Sequence, residues 1–249
     1  MNVRLVDSMG DDAAIVQAAR ISYGDGTKTV SEDRGLIRFL MRHRHTTPFE
    51  MVAFKFHLRM PIFVARQWLR HRTASVNEYS ARYSIVPDDY WVPDKFRKQS
   101  GMNKQCSDGE FENEELRKRM NVSCEEAFRL YDDLLDAGCS RELARSHLPQ
   151  STYTEFYWTI NLHNLLHFLE LRIDSHAQPE IQEYAKAVYE LIKPVIPLTV
   201  EAFEDFRLSK MYLSRLEIEA IREGRKEIPG QGENREFQEK LKSLGIFFT

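Results

Sequence analysis

The 249-residue chain has only three cysteines, Cys106, Cys124 and Cys139, widely spaced and without a C-x-x-C pair. An odd, scattered set fits a reducing cytosol better than a disulfide framework. No apolar run approaches the roughly 18 residues of a membrane helix, and residues 1–20 lack the apolar core of a signal peptide. Neither standard Gly-rich nucleotide cradle, G-x-G-x-x-G or G-x-x-x-x-G-K-[ST], occurs. Repeats, low-complexity tracts and Pro/Gly/Ser linkers are missing too. The net charge of −3 gives no whole-chain field toward nucleic acid or an anionic membrane. What is there is 42% apolar and 29% charged, ordinary for a soluble protein large enough to bury a core. A cytoplasmic protein with neither membrane nor nucleic acid as partner is expected.

Val52–Met60, VAFKFHLRM, alternates strictly, with Lys55, His57 and Arg59 opposite the apolar set, and reads as a half-buried strand. Pro61 then suits the start of a short helix, IFVARQWLRHR, on which Arg66 and Arg70 share a face. Residues 73–84 are small and polar and read as a loop. Residues 94–118 are polar and read as an exposed insertion. Ser123 and Glu126 form a capping-box pattern for a helix ending near Gly138, and Ser140 caps another stopped by Pro149. TYTEFYWTI, 152–160, reads as a strand, and Asn161 caps a helix running to about Arg172. Pro179 opens a further helix with Ile181, Tyr184, Val188 and Ile192 on one stripe, broken at Pro194 and Pro197. Helices and strands without regular βαβ alternation predict an α+β fold, a mixed sheet packed with helices. The expected division is a catalytic domain over 1–206 and a solvated helical extension over 207–249.

Between Lys55 and Arg82 stand six Lys/Arg against one acid, Glu78. Basic residues at a helix C-terminus are favoured by the macrodipole alone. They also suit an anion site, since arginine offers a planar fork to phosphate. The loop that follows concentrates Ser75, Asn77, Ser80 and Arg82, hydroxyl, amide and guanidinium within a dozen residues. Ser80 lacks an adjacent His–carboxylate pair, so a phosphate donor is the expectation rather than a nucleophile.

The string Arg70-His71-Arg72-x-x-Ser75-x-Asn77-Glu78-x-Ser80-x-Arg82-Tyr83 resembles the signature of flavin-dependent thymidylate synthases. Ala19-Arg20-Ile21-Ser22, His45-x-Thr47-Pro48-Phe49-Glu50, Pro61–Trp68 and Arg172-x-Asp174-Ser175-His176-Ala177-Gln178 resemble further segments of that family, in order. The resemblance implies flavin contacts from Ser22, His45, Thr47, Glu50, Arg70, His71, Arg72, Glu78, Asn161, His163 and His167. It implies dUMP contacts from Gln67, Arg70, Glu78, Tyr79, Ser80, Ala81, Arg82, Arg145 and Arg172. Catalytic roles fall to Arg172, polarising the uracil at N3, and to His45. It further implies FAD as hydride carrier, NADPH as reductant, 5,10-methylenetetrahydrofolate as carbon donor, and an intertwined homotetramer whose subunits share sites. Met51 stands where the family often carries histidine, and His163 and His167 stand where some members carry arginine and asparagine. No cysteine lies near a motif, so C5 activation without a covalent thiolate is expected.

The alternative chemistry is a metal-dependent hydrolase using His163 and His167, one helical turn apart; H-N-L-L-H lacks the glutamate of H-E-x-x-H. A nucleic-acid module on the basic segment is opposed by the alternation, which turns Phe54 and Phe56 away from the cations. An interaction protein without catalysis would not concentrate phosphate-binding residue types in one loop.

Overall fold

The computed structural model describes residues 2–21, 30–101, 104 and 106–246. Ser22, an expected flavin contact, lies outside the described residues. Packing divides the chain into two units, Met1–Phe203 and Glu204–Thr249.

The first unit is built on a four-stranded sheet of order β1-β2-β6-β3, with β1 Asn2–Met9, β2 Ala53–Pro61, β3 Ala74–Glu78 and β6 Tyr153–Asn161. The class is α+β as expected, but every pairing is antiparallel, where a mixed sheet was expected. In the central pair Phe54 faces Ile160, Phe56 faces Trp158 and Leu58 faces Phe156, all buried. Each such side chain contributes roughly 1.5–3 kcal/mol by leaving water. Lys55, His57 and Arg59 take the other face, opposite Thr159, Tyr157 and Glu155, as the two-residue period dictates.

The strand at 74–78 corrects the loop reading of 73–84. ASVNE pairs only with β6 and is largely exposed, so it carries no apolar face that a pattern search would detect. The helix after Pro61, α4 Ile62–Trp68, is also shorter than expected. It ends at Trp68, so Arg70, His71 and Arg72 follow the helix instead of extending it.

Helices α1 Asp12–Arg20, α2 Val30–Arg42 and α3 Thr47–Glu50 precede the second strand. After it, β4 Phe96–Gln99 and β5 Ser107–Phe111 form a separate antiparallel hairpin within the stretch read as an exposed polar insertion. Helix α5 spans Glu114–Asp136, starting nine residues before Ser123. Its N-cap is Asn113, whose side chain accepts from the Leu116 N–H, with Glu114 and Glu115 favouring the positive end of the dipole. Short α6 Arg141–Ala144 leads to a 3-10 turn at Arg145–His147.

As expected, Asn161 caps α7 Leu162–Ile173 and Pro179 opens α8 Pro179–Ile192; α9 Pro197–Phe203 closes the unit. The core behind the sheet is aromatic: the rings of Trp68, Trp158 and Phe168 lie 4.3–5.1 Å apart, in tilted and edge contacts. A distant acid ties the last helix down. Asp12 on α1 accepts from the N–H groups of Leu198 and Thr199 and from the Thr199 hydroxyl, at 2.7, 3.0 and 2.6 Å.

In the second unit, α10 Arg215–Arg222 and α11 Gln231–Ser243 enclose a small core of Ala220, Ile228, Phe237 and Leu241. Glu217 completes a capping box with Ser214 and pairs with Lys240 at 2.8 Å while almost fully buried. The extension is therefore more than a solvated helix.

Candidate active site

Many of the sequence-predicted site residues gather in three places. The first is a cavity of 910 Å³ walled by Ala18, Ala19 and Ile21 at the end of α1, Leu36, Phe39 and Leu40 of α2, and Arg44, His45, Thr46, Thr47, Pro48 and Met51. Two backbone hydrogen bonds build its polar edge. The His45 N–H donates to the Leu40 carbonyl at 3.0 Å and the Arg44 N–H to the Met41 carbonyl at 3.3 Å. This is the Schellman closure of a helix, and it demands a left-handed residue, here Arg44 at φ 57°. A non-glycine residue there costs about 1–2 kcal/mol, strain of a kind that concentrates at functional sites. The turn sets the His45 ring edge-on to Phe39, with centroids 5.6 Å apart. His45 and Thr47 line this cavity; Glu50, at the end of α3, does not. Phe39 and Leu36 escaped the sequence reading because α2 was not recognised, although its apolar stripe was there to find.

The second place is a cavity of 450 Å³ lined by Glu78, Tyr79, Ala81, Arg145, Ser146, Thr152, Tyr153 and Thr154, with Ile62, Val86, Glu142 and Leu148. Thr154 donates its hydroxyl to Glu78 Oε1 at 2.6 Å, across the pairing of β6 with β3. Tyr79 is fixed at both ends, its N–H on the Glu155 carbonyl and its hydroxyl on the Ile85 carbonyl. The Thr152 hydroxyl is buried at the wall with no partner among the described residues. A buried polar group of this kind is normally satisfied, so it marks a place where a ligand or water belongs. Ser80 and Arg82 do not line the cavity. The Arg82 N–H reaches Ser80 Oγ at 3.4 Å, and the exposed guanidinium stands 3.7 Å from Glu142.

The third is the cluster around Arg172, near the end of α7. Arg172 donates through Nε to His71 Nε2 at 3.0 Å and through Nη2 to the Gln67 carbonyl at 3.4 Å. Guanidinium has no acceptor, so His71 Nε2 must accept, and the neutral ring carries its proton on Nδ1. Burial, Arg172 and His167 together lower the His71 pKa to about 4. Burial also lowers the Arg172 pKa. The His167 ring lies 6.2 Å from that of His71, and Phe168 packs edge-on against the His71 ring at 4.9 Å. Asn161 spends its side-chain oxygen capping α7. Arg70 and Arg72 are exposed beside the cluster. The metal reading of His163 and His167 gains no support: among the described residues no group of three or more His, Cys, Asp or Glu could hold an ion.

Residues 4–198 match the family model described as thymidylate synthase complementing protein. A flavin-dependent thymidylate synthase of Thermus thermophilus is 57% identical over 220 residues, covering 88% of this chain and 82% of the relative. One from Dictyostelium discoideum is 53% identical over 238 residues, covering 94% and 78%. Among solved structures, the UMP/dUMP methylase PolB from Streptomyces cacaoi bound with 5-Br dUMP superposes with a TM-score of 0.77. It is 39% identical and covers 83% of this chain and 96% of its own.

Proposed function

Because the chain belongs to the thymidylate synthase complementing protein family, we propose that it methylates dUMP reductively to dTMP, with 5,10-methylenetetrahydrofolate giving the carbon, FAD carrying hydride and NADPH supplying it. The observation that carries this reading is the Arg172 cluster. A partly buried guanidinium, oriented by a neutral histidine and a backbone carbonyl, is a preset donor for negative charge developing on a pyrimidine ring. Stabilising that charge lets C5 act as a nucleophile without a thiolate. The thiols of Cys106, Cys124 and Cys139 make their hydrogen bonds with His176, Ser151 and Ser140, not with this cluster.

The larger cavity fits a flavin: its volume and its apolar walls with His45, Thr46, Thr47 and Arg44 along one edge suit a broad ring system with a polar rim. When bound, reduced flavin supplies the hydride; the protein orients it and sets its surroundings. His45 and Thr47 would hold it there, with Glu50, Arg70, His71, Arg72, Asn161, His163 and His167 offered from elsewhere in the assembly. The smaller cavity supports nucleotide binding, with Arg145 and the unpartnered Thr152 hydroxyl as donors and Glu78 and Tyr79 as held walls. Ser80 and Arg82 would take the phosphate. The two cavities share no lining residue, and neither includes Arg172. A homotetramer that joins clusters from different subunits accounts for that division.

The test is a spectrum of the purified protein followed by anaerobic NADPH, with and without dUMP. Oxidised-flavin absorbance that bleaches faster with the nucleotide, and dTMP formed once 5,10-methylenetetrahydrofolate is added, support the reading. Colourless protein that takes up no FAD contradicts it.

A further inference from the structure

Helices α2, α5, α10 and α11 all end in the same backbone closure. The N–H groups of His45, Cys139, Arg225 and Ile246 donate to the carbonyls of Leu40, Leu134, Ala220 and Leu241, at 2.8–3.0 Å. The residue before each donor also bonds back, and it takes a left-handed conformation. In three of the four turns that residue is glycine: Gly138, Gly224 and Gly245. In the fourth it is Arg44, at φ 57°, the one non-glycine residue with positive φ among the described residues. The apolar core does not call for a side chain there, because Arg44 is exposed and lies outside it. What sets the α2 turn apart is the 910 Å³ cavity, which Arg44 helps to wall.

The charge of that wall has one sign. Among the described residues no aspartate or glutamate lines the cavity, and Arg44 is its one permanently charged residue. A fixed cation favours the form of a bound group that carries more negative charge. The flavin ring system is neutral when oxidised. Hydride from NADPH, a proton with two electrons, bonds to the ring and leaves it with one negative charge. We propose that Arg44 stabilises this reduced, anionic flavin over the oxidised one, raising its reduction potential, and that the strained turn is retained for the charge it carries. Direct contact is not required, since attraction between unit charges falls only with the first power of distance. A glycine at 44 would close α2 without strain but leave the wall uncharged. The inference rests on the reading of this cavity as the flavin site.

The test measures the midpoint potential of FAD bound to the purified protein, by anaerobic titration against a reference dye. Arg44→Gly removes the charge and the strain; Arg44→Met removes the charge alone. Both should bind reduced flavin about tenfold more weakly relative to oxidised flavin, the scale of one unit charge across a partly screened site. For a two-electron couple that ratio is a fall of about 30 mV. Arg44→Lys, which keeps the charge, should stay near wild type. Arg44→Gly should also melt at a higher temperature than Arg44→Met, because only glycine relieves the turn; the reverse order would contradict the strain. A potential unchanged in both uncharged variants, or lowered as far in Arg44→Lys, overturns the inference. So does equal weakening or loss of oxidised and reduced flavin. Wild-type protein that takes up no FAD overturns the underlying reading instead, a result visible before any variant is made.

Discussion

Arg172 Nε and His71 Nε2 lie 3.0 Å apart, with the guanidinium as donor and the imidazole as acceptor. The polarity of that bond makes a neutral histidine part of the structure, because a protonated ring would present N–H to N–H. Burial, with Arg172 and His167 beside it, keeps it neutral, so the orientation of Arg172 does not change across the neutral pH range.

Arg172→Ala should lower dTMP formation by about 10²–10³-fold, the usual effect of deleting a donor aimed at developing charge. Flavin content, read from the visible spectrum of the purified variant, should remain near wild type. Loss of flavin together with turnover would contradict the role given to Arg172.

Acid should destabilise the protein through His71. Its folded pKa of about 4 lies below the ordinary 6.5, so between those values the unfolded chain binds a proton that the folded chain refuses. The stability is therefore full above about pH 6.5 and is lost as pH falls toward 4. His71→Gln, which keeps an acceptor but does not titrate, should show a shallower decline in melting temperature over that interval.

Thr154→Val removes the hydroxyl that holds Glu78 and conserves side-chain volume. Losing one charge-assisted bond of about 1–1.5 kcal/mol should raise the KM for dUMP roughly five- to tenfold. Steady-state kinetics with dUMP as the varied substrate measures this, and an unchanged KM would separate Glu78 from the nucleotide site.

Asp12→Ala should cost about 2 kcal/mol of stability, because it removes the acceptor for two helix N–H groups and a buried hydroxyl. Asp12→Asn, which retains one acceptor oxygen, should cost less. Denaturant melts of the two variants give the comparison. Burial raises the Asp12 pKa, with the three donors pulling the other way.

The sequence made visible what is periodic or capped. The alternation of Val52–Met60 marked the central strand, and Asn161 and Pro179 marked the two helices that follow β6. It concealed β3, whose ASVNE needs no apolar face at a sheet edge. It also misplaced the start of α5, since Ser123, read as its cap, lies inside a helix that Asn113 caps. The Arg172–His71 bond spans 101 positions, and the Thr154–Glu78 bond spans 76. Spacing rules along the chain do not reach that far. His71, Glu78 and Arg172 were recognisable as residue types within motifs, but their mutual geometry was not. The Thr154 hydroxyl had no local signal at all.

Strand β6 acts as a ruler for two of the three clusters. Near its start Thr154 holds Glu78, and at its end Asn161 begins the helix that carries Arg172. Side chains alternate faces along a strand, so inserting or deleting one residue within β6 would invert one end relative to the other. Single substitutions at outward positions such as Tyr157 and Thr159 leave that measure intact. In a library that mixes length changes with point changes, β6 should therefore accept many replacements of its outer residues while tolerating no change in its length.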